Sequence, residues 1–194
     1  FWFTLFTRLG YRVLLSGRSS RSLYESGLET IPSDSICYPA KLVHGHIFDL
    51  LKCGIKKIFY PCIPFNIRED ASADNDYNCP IVTSYPENIR ANIEALRESD
   101  AVLMQPFLPI NSRNRLISRL KQELAAESVT RQELTAAVDA AYLELDRYKA
   151  DVRRAGDEAL KYLAENHERG VVLAGRPYHI DPEIHHGLPE LIQS

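Results

Sequence analysis

The chain has 194 residues, of which 45% are hydrophobic and 25% charged, enough apolar material for a buried core and too much for a disordered chain. That length suits one ordinary domain, or one domain with pieces of a second. A formal net charge of −3 and a pI near 6.1 supply no field to attract nucleic acid or acidic lipid, so neither partner is expected.

No run approaches the roughly 20 apolar residues that span a membrane. The opening FWFTLFTRLG has no basic lead, stops after about nine residues and has no small-residue cleavage site, so it reads poorly as a signal-peptide core. Trp2, Leu5, Phe6 and Leu9 instead follow the spacing of one helix face. The chain lacks a starting Met and opens inside this helix, so it reads as a fragment of a longer protein. Without an export signal, its four cysteines suit a reducing cytoplasm better than disulfides.

In chain order, YRVLLS (11–16) predicts a buried strand, followed by GRSSRS and a short helix near 20–26. Ser33, Asp34 or Ser35 is a candidate cap for a helix over 37–52 that Gly54 closes. IKKIFYP (55–61) predicts a second strand, PENIRANIEALRES (86–99) a helix with Pro86 in its first turn, and AVLMQPF (101–107) a third strand. Strands separated by helices argue for an open parallel, Rossmann-like α/β sheet. The polar stretch 62–80 is too long for a routine connection and has a cysteine near each end. After Pro109 come a helix, then a Thr130–Glu133 capping box opening a helical pattern to about residue 166, with Gly156 as a possible bend. GVVLAGRPYHIDPEIHHGLPELIQS then restarts a strand–loop–helix unit. The expected organisation is a first α/β lobe over 1–109, a helical bridge over 110–168 and the start of a second α/β lobe over 169–194.

Three cysteines, Cys37, Cys62 and Cys79, lie in loops close to prolines. Their spacing, C-x24-C-x16-C, matches no compact zinc or ferredoxin signature, so position matters more than spacing. Cys37 falls at a helix start, where free N–H groups and the helix dipole favour a thiolate. Cys62 leaves the carboxyl end of a strand, the edge along which open α/β sheets bind ligands. Rigid, converging thiolates suit a soft metal centre. Cys79 joins them if 78–85 crosses that edge as an extended loop or ends a detour returning to it. Cys53 reads as packing. Two alternatives stay open at this point: zinc with His44 or His46 as fourth ligand, and free cysteines filling apolar gaps. GRSSRS lacks both G-x-G-x-x-G and the P-loop pattern, which leaves it a weak anion-binding candidate. Arg176, His179, His185 and His186 crowd the loop AGRPYHIDPEIHHG, where Arg176 suits a carboxylate or phosphate.

SICYPAKLVHGH, IFYPCIPF, YNCPIVTSYPE and VLAGRPYHIDPEIHHGLPE, taken in order, resemble one family. It is the domain of unknown function numbered 2229 of CoA-substrate-specific enzyme activase proteins, relatives of the 2-hydroxyacyl-CoA dehydratase system. The resemblance implies two α/β lobes joined by helices, and a [4Fe-4S] cluster on Cys37, Cys62 and Cys79. It also implies an electron-transfer or dehydratase-like role, and an ATPase of the acetate-kinase and Hsp70 type in the same longer chain. An acyl-CoA substrate or a dehydratase-like partner follows from the same likeness, with Lys41, His44, Arg176 and His179 as candidates to steer it. A structural zinc site and a non-metal docking module serving the ATPase domains are the rival functions.

Overall fold

The computed structural model describes residues 1–194. Its helices are α1 (Trp2–Arg8), α2 (Arg21–Gly27), α3 (Tyr38–Lys52), α4 (Pro80–Asn92), α5 (Glu94–Glu98), α6 (Arg113–Glu123), α7 (Arg131–Glu165) and α8 (Leu188–Gln193). Two short strands, β1 (Lys57–Phe59) and β2 (Val102–Met104), pair in parallel with Lys57 opposite Val102 and Phe59 opposite Met104. The result is a helix-rich α/β architecture whose sheet has two strands. The open Rossmann-like sheet expected from the sequence is not formed.

The chain divides into two compact units. The first comprises Phe1–Leu14 and Leu120–Gly175, and within it α1 packs on α7. The predicted face of α1 is confirmed by Leu5, which is fully buried, and the Phe1 ring meets Tyr142 of α7 edge-on at 4.9 Å. The capping box forms as expected, with Thr130 Oγ1 accepting from the Glu133 N–H and the Glu133 carboxylate accepting from the Thr130 N–H at 2.8 Å. Leu134, Ala137, Val138 and Ala141 are the buried residues of the long helix.

The second unit comprises Leu15–Arg119 and Arg176–Ser194. Its core joins Ala40 and Ile47 of α3, Ile58 of β1, and Tyr85 and Ile89 of α4, with Ile93 and Leu96 just beyond. Here α2 crosses α3 at Gly27 and Gly45, so closely that a Cβ on Gly45 would lie 2.0 Å from the Leu23 carbonyl oxygen.

Several expected elements change. Residues 11–16 carry the apolar pattern of a strand but lie along no partner strand; Leu15 is 69% exposed, and the segment is tied down through Ser16 and Gly17 to side chains of α3. A strand without a neighbour leaves its backbone groups to water, and the pattern alone cannot supply the neighbour. The same holds for 170–175, where Val171 to Leu173 are exposed and unpaired. The helix expected to begin at Pro86 begins at Pro80, which places Pro86 inside α4 and breaks at Ile93 before α5. Residues 78–85 are therefore not an extended crossing: Pro80 occupies the first turn, and Ile81, Tyr85 and Ile89 recur every four residues on the buried face. The cap of α3 is Cys37, not Ser33, Asp34 or Ser35. Gly54 ends that helix region at a positive φ of 71°, as a helix-closing glycine should.

Candidate functional site

The site grows from the carboxyl end of β1. The ladder continues past the strands, with the Tyr60 N–H donating to the Met104 carbonyl and the Cys62 N–H to the Pro106 carbonyl, both at 2.9 Å. Cys62 pairs with Phe107, which is the register of the strands carried on without a slip. That constant register puts Tyr60 across from Gln105. Period-two alternation gives Ile58, Tyr60 and Cys62 one face, the face against the core of α3 and α4. Cys62 is fully buried there.

The long 62–80 connection folds back on itself. Phe65 and Tyr77 form an antiparallel bridge with their rings 4.8 Å apart, the Asn66 N–H donates to Asp76, and the Asn78 N–H donates to Pro64. The Asn78 side-chain amide reaches the Ile63 carbonyl at 2.9 Å. The detour thus brings Asn78, the residue before Cys79, back against the chain that follows Cys62. Cys79 then caps α4, its sulfur accepting from the Val82 N–H at 3.4 Å. Cys37 caps α3 without a side-chain bond. Both of these thiols are exposed, and all four cysteines are free.

Electrostatics link the thiols to two tyrosines. Burial, and then Glu87, push the Cys62 thiol up to about 11, so it is protonated at neutral pH. Burial pushes the Tyr60 phenol up, with Tyr85, Cys62 and Cys37 adding to the shift. Tyr85 rises to about 12 through burial first and Cys37 second. Tyr60 therefore stands within the electrostatic reach of two of the three thiols.

The other predicted residues lie in varied settings. His44 is fully buried, its Nδ1 2.8 Å from Thr30 Oγ1 and its Nε2 2.8 Å from the Tyr85 hydroxyl. His46 meets Ser16 and Ser19, with Ser19 Oγ also donating to Asp181 at 2.5 Å. The two histidines open to a zinc site at the sequence level thus have both ring nitrogens engaged. The Lys41 ammonium donates to the Asp34 carbonyl at 2.9 Å. Arg176 precedes, and His179 lies within, an exposed 3-10 turn spanning Pro177–Ile180. His186 packs against the Tyr38 ring, and His185 Nδ1 accepts from the Gly187 N–H. In GRSSRS, Ser20 caps α2 and Arg21 pairs with Glu25. Cys53 is exposed at the end of α3, which corrects its reading as a packing residue.

Two residues escaped the sequence reading. Tyr60 was legible in principle, since it alternates with Ile58 and Cys62. Gln105 is the amide at the end of an otherwise apolar strand, and both its Oε1 and Nε2 are shut off from solvent with no hydrogen-bond partner. Burying such groups unpaired costs about 1–3 kcal/mol each, so this position stands out at the thiol edge. Three thiols have the donor chemistry of a soft, sulfur-bound centre. They are not gathered into one: no group of three or more His, Cys, Asp or Glu side chains is placed to hold a metal ion.

Fold and site together define a helix-rich α/β domain with one buried thiol, Cys62, just past the carboxyl end of a parallel strand pair and two exposed thiols, Cys37 and Cys79, at helix N-termini. No helix is long and apolar enough to cross a membrane. The chain belongs to the family described as the CoA enzyme activase uncharacterised domain (DUF2229), whose model matches residues 1–194. No curated protein sequence and no solved structure matches it.

Proposed function

We propose that this domain handles electrons in a CoA-substrate-specific activase, with Cys37, Cys62 and Cys79 as the ligands of a [4Fe-4S] cluster. The observation that supports this reading is the hairpin that brings Asn78, next to Cys79, back against Ile63 and Pro64, next to Cys62, together with Tyr60, which feels both Cys62 and Cys37. When bound, such a group supplies one-electron transfer at a potential set by its surroundings. The chain's own contribution is to hold the sulfurs and keep water out. Cys62 must lose its proton to become a ligand, so loading is favoured as pH rises toward 11. Tyr60 and Tyr85 stay neutral at working pH and shield the edge.

Lys41, Arg176 and His179 are the proposed contacts for an acyl-CoA group, Lys41 after leaving the Asp34 carbonyl. His44 belonged to that set at the sequence level; with both nitrogens bonded in the core it supports the site from behind. The proposed source of electrons is an ATPase of the acetate-kinase and Hsp70 type in the same longer chain, in a reducing cytoplasm that keeps thiols free. A second reading, a non-metal docking module beside such ATPase domains, is favoured by the absence of a gathered three-donor group.

Anaerobic purification with iron and sulfide analysis separates the readings. The cluster predicts a brown protein bleached by dithionite, retained in Cys53→Ser and lost in Cys62→Ser. One zinc per chain, no metal at all, or equal effects of the two substitutions would overturn it.

A further inference from the structure

Apolar residues of α7 recur in alternating steps of four and three from Leu134 to Tyr162, the spacing of a coiled-coil seam. The first part of the seam, Leu134, Val138 and Ala141, is buried in the unit that α7 shares with α1. Its continuation lies open: Tyr148 is 58% exposed, Val152 53% and Tyr162 55%, and every residue from 150 to 162 is exposed. The sizes along that open half complement their own reverse. Laid antiparallel on a second copy, about a two-fold axis between Arg153 and Arg154, Tyr148 meets Ala159, Val152 meets Ala155, and Leu145 meets Tyr162. A large residue thus faces a small one in the central layers, as interdigitating layers require. A parallel pairing sets Tyr148 on Tyr148 and Ala155 on Ala155, bulk against bulk and gap against gap.

The charges favour the same register. Along one flank, Arg147 pairs with Glu144 of its own helix, and Arg154 with Asp151 and Glu158. Across the axis, Arg154 comes level with Asp151 of the second copy to within two residues, about 3 Å along the helix. Arg147 stands in the same relation to Glu158, and Lys161 to Glu144. In a parallel pair each of these charges stands level with its like. The four half-exposed tyrosines of two copies offer about 100 Å² each. With the residues between them the contact totals about 1,000 Å², the low end for a specific association.

We infer that α7 from Leu145 to Tyr162 is a self-association surface that docks a second copy of this chain as an antiparallel helix pair. None of the cysteines takes part, so the surface stands whether or not the domain holds a cluster.

Sedimentation equilibrium of the full chain, with reductant to prevent disulfides between exposed cysteines, tests it. The expected result is a reversible dimer with a micromolar dissociation constant. Val152→Asp weakens it about tenfold or more and leaves the thermal stability of the dilute chain unchanged. Ala159→Tyr does the same by setting tyrosine on tyrosine. Adding Tyr148→Ala to Ala159→Tyr exchanges the two sides of that layer and recovers wild-type association to within about threefold. In wild type, a zero-length carbodiimide cross-link joins Lys161 to Glu144; on one helix the two lie about 25 Å apart, so the link forms only between copies. A wild type still monomeric at about 0.1 mM, a dimer indifferent to Val152→Asp, or a double variant no tighter than Ala159→Tyr alone overturns the surface. Where a substituted chain fails to fold, the cross-link decides: its absence from wild-type dimer is equally fatal.

Discussion

At the scale of single residues, His44 illustrates how burial chooses a protonation state. Thr30 Oγ1 donates its one hydrogen to the Gly27 carbonyl at 2.9 Å, so the His44 Nδ1 must donate to Thr30 and Nε2 must accept from Tyr85. The ring is neutral, and burial holds it so down to about 4. In the unfolded chain a histidine takes up a proton near 6.5. Between those values the unfolded state binds more protons, so the contribution of His44 to stability is full above pH 6.5 and is lost as pH falls toward 4. Urea unfolding at a series of pH values should show wild type losing up to about 3 kcal/mol through this window. His44→Phe should flatten that part of the curve while lowering stability at pH 7; an unchanged slope would remove His44 as its origin.

Among the elements, the α2–α3 crossing is the tightest constraint in the second unit. Gly27 and Gly45 let the two backbones touch, and the atom facing Gly45 is a main-chain oxygen, which cannot swing aside as a long side chain would. Gly45→Ala is expected to cost about 3 kcal/mol by forcing the helices apart. Thermal unfolding would detect it, and Gly156→Ala, where nothing lies within 4 Å of the added carbon, is the matched control. The comparison separates steric crowding from the intrinsic preference of alanine for helices.

On the scale of the whole molecule, the second unit is made from two distant pieces of chain. Ser19 donates to Asp181 across 162 positions of sequence, and the Tyr38 hydroxyl donates to Glu183 at 2.6 Å across 145. Asp181 also accepts from the Glu183 and Ile184 N–H groups, so one carboxylate both shapes its own turn and anchors it to the body of the unit. Asp181→Ala should cost about 2 kcal/mol in that unit, since hydrogen bonds to a charged acceptor are lost. Hydrogen exchange should show amides of 181–193 opening faster while those of α7 keep their protection. Uniform loosening of both units would contradict a local anchor.

Helices were the legible part because their signals are local: the Thr130 capping box, the apolar face of α1 and Gly54 each act within a turn or two of chain. YRVLLS and the opening of GVVLAGRPYHIDPEIHHG carry the same apolar pattern as β1 and β2, yet only the latter two find each other. A strand is completed by a neighbour far off in sequence, and periodicity does not name that neighbour. The positions of the thiols divide in the same way. That Cys37 sits at a helix start and Cys62 at a strand end could be derived from residues alone, as could the family likeness. Only the folded chain turned IVTS from extended to helical, brought Asn78 back beside Ile63 through a hairpin, and left the Gln105 amide buried without a partner. Those outcomes depend on contacts between distant segments, whose energies no local stretch of sequence contains.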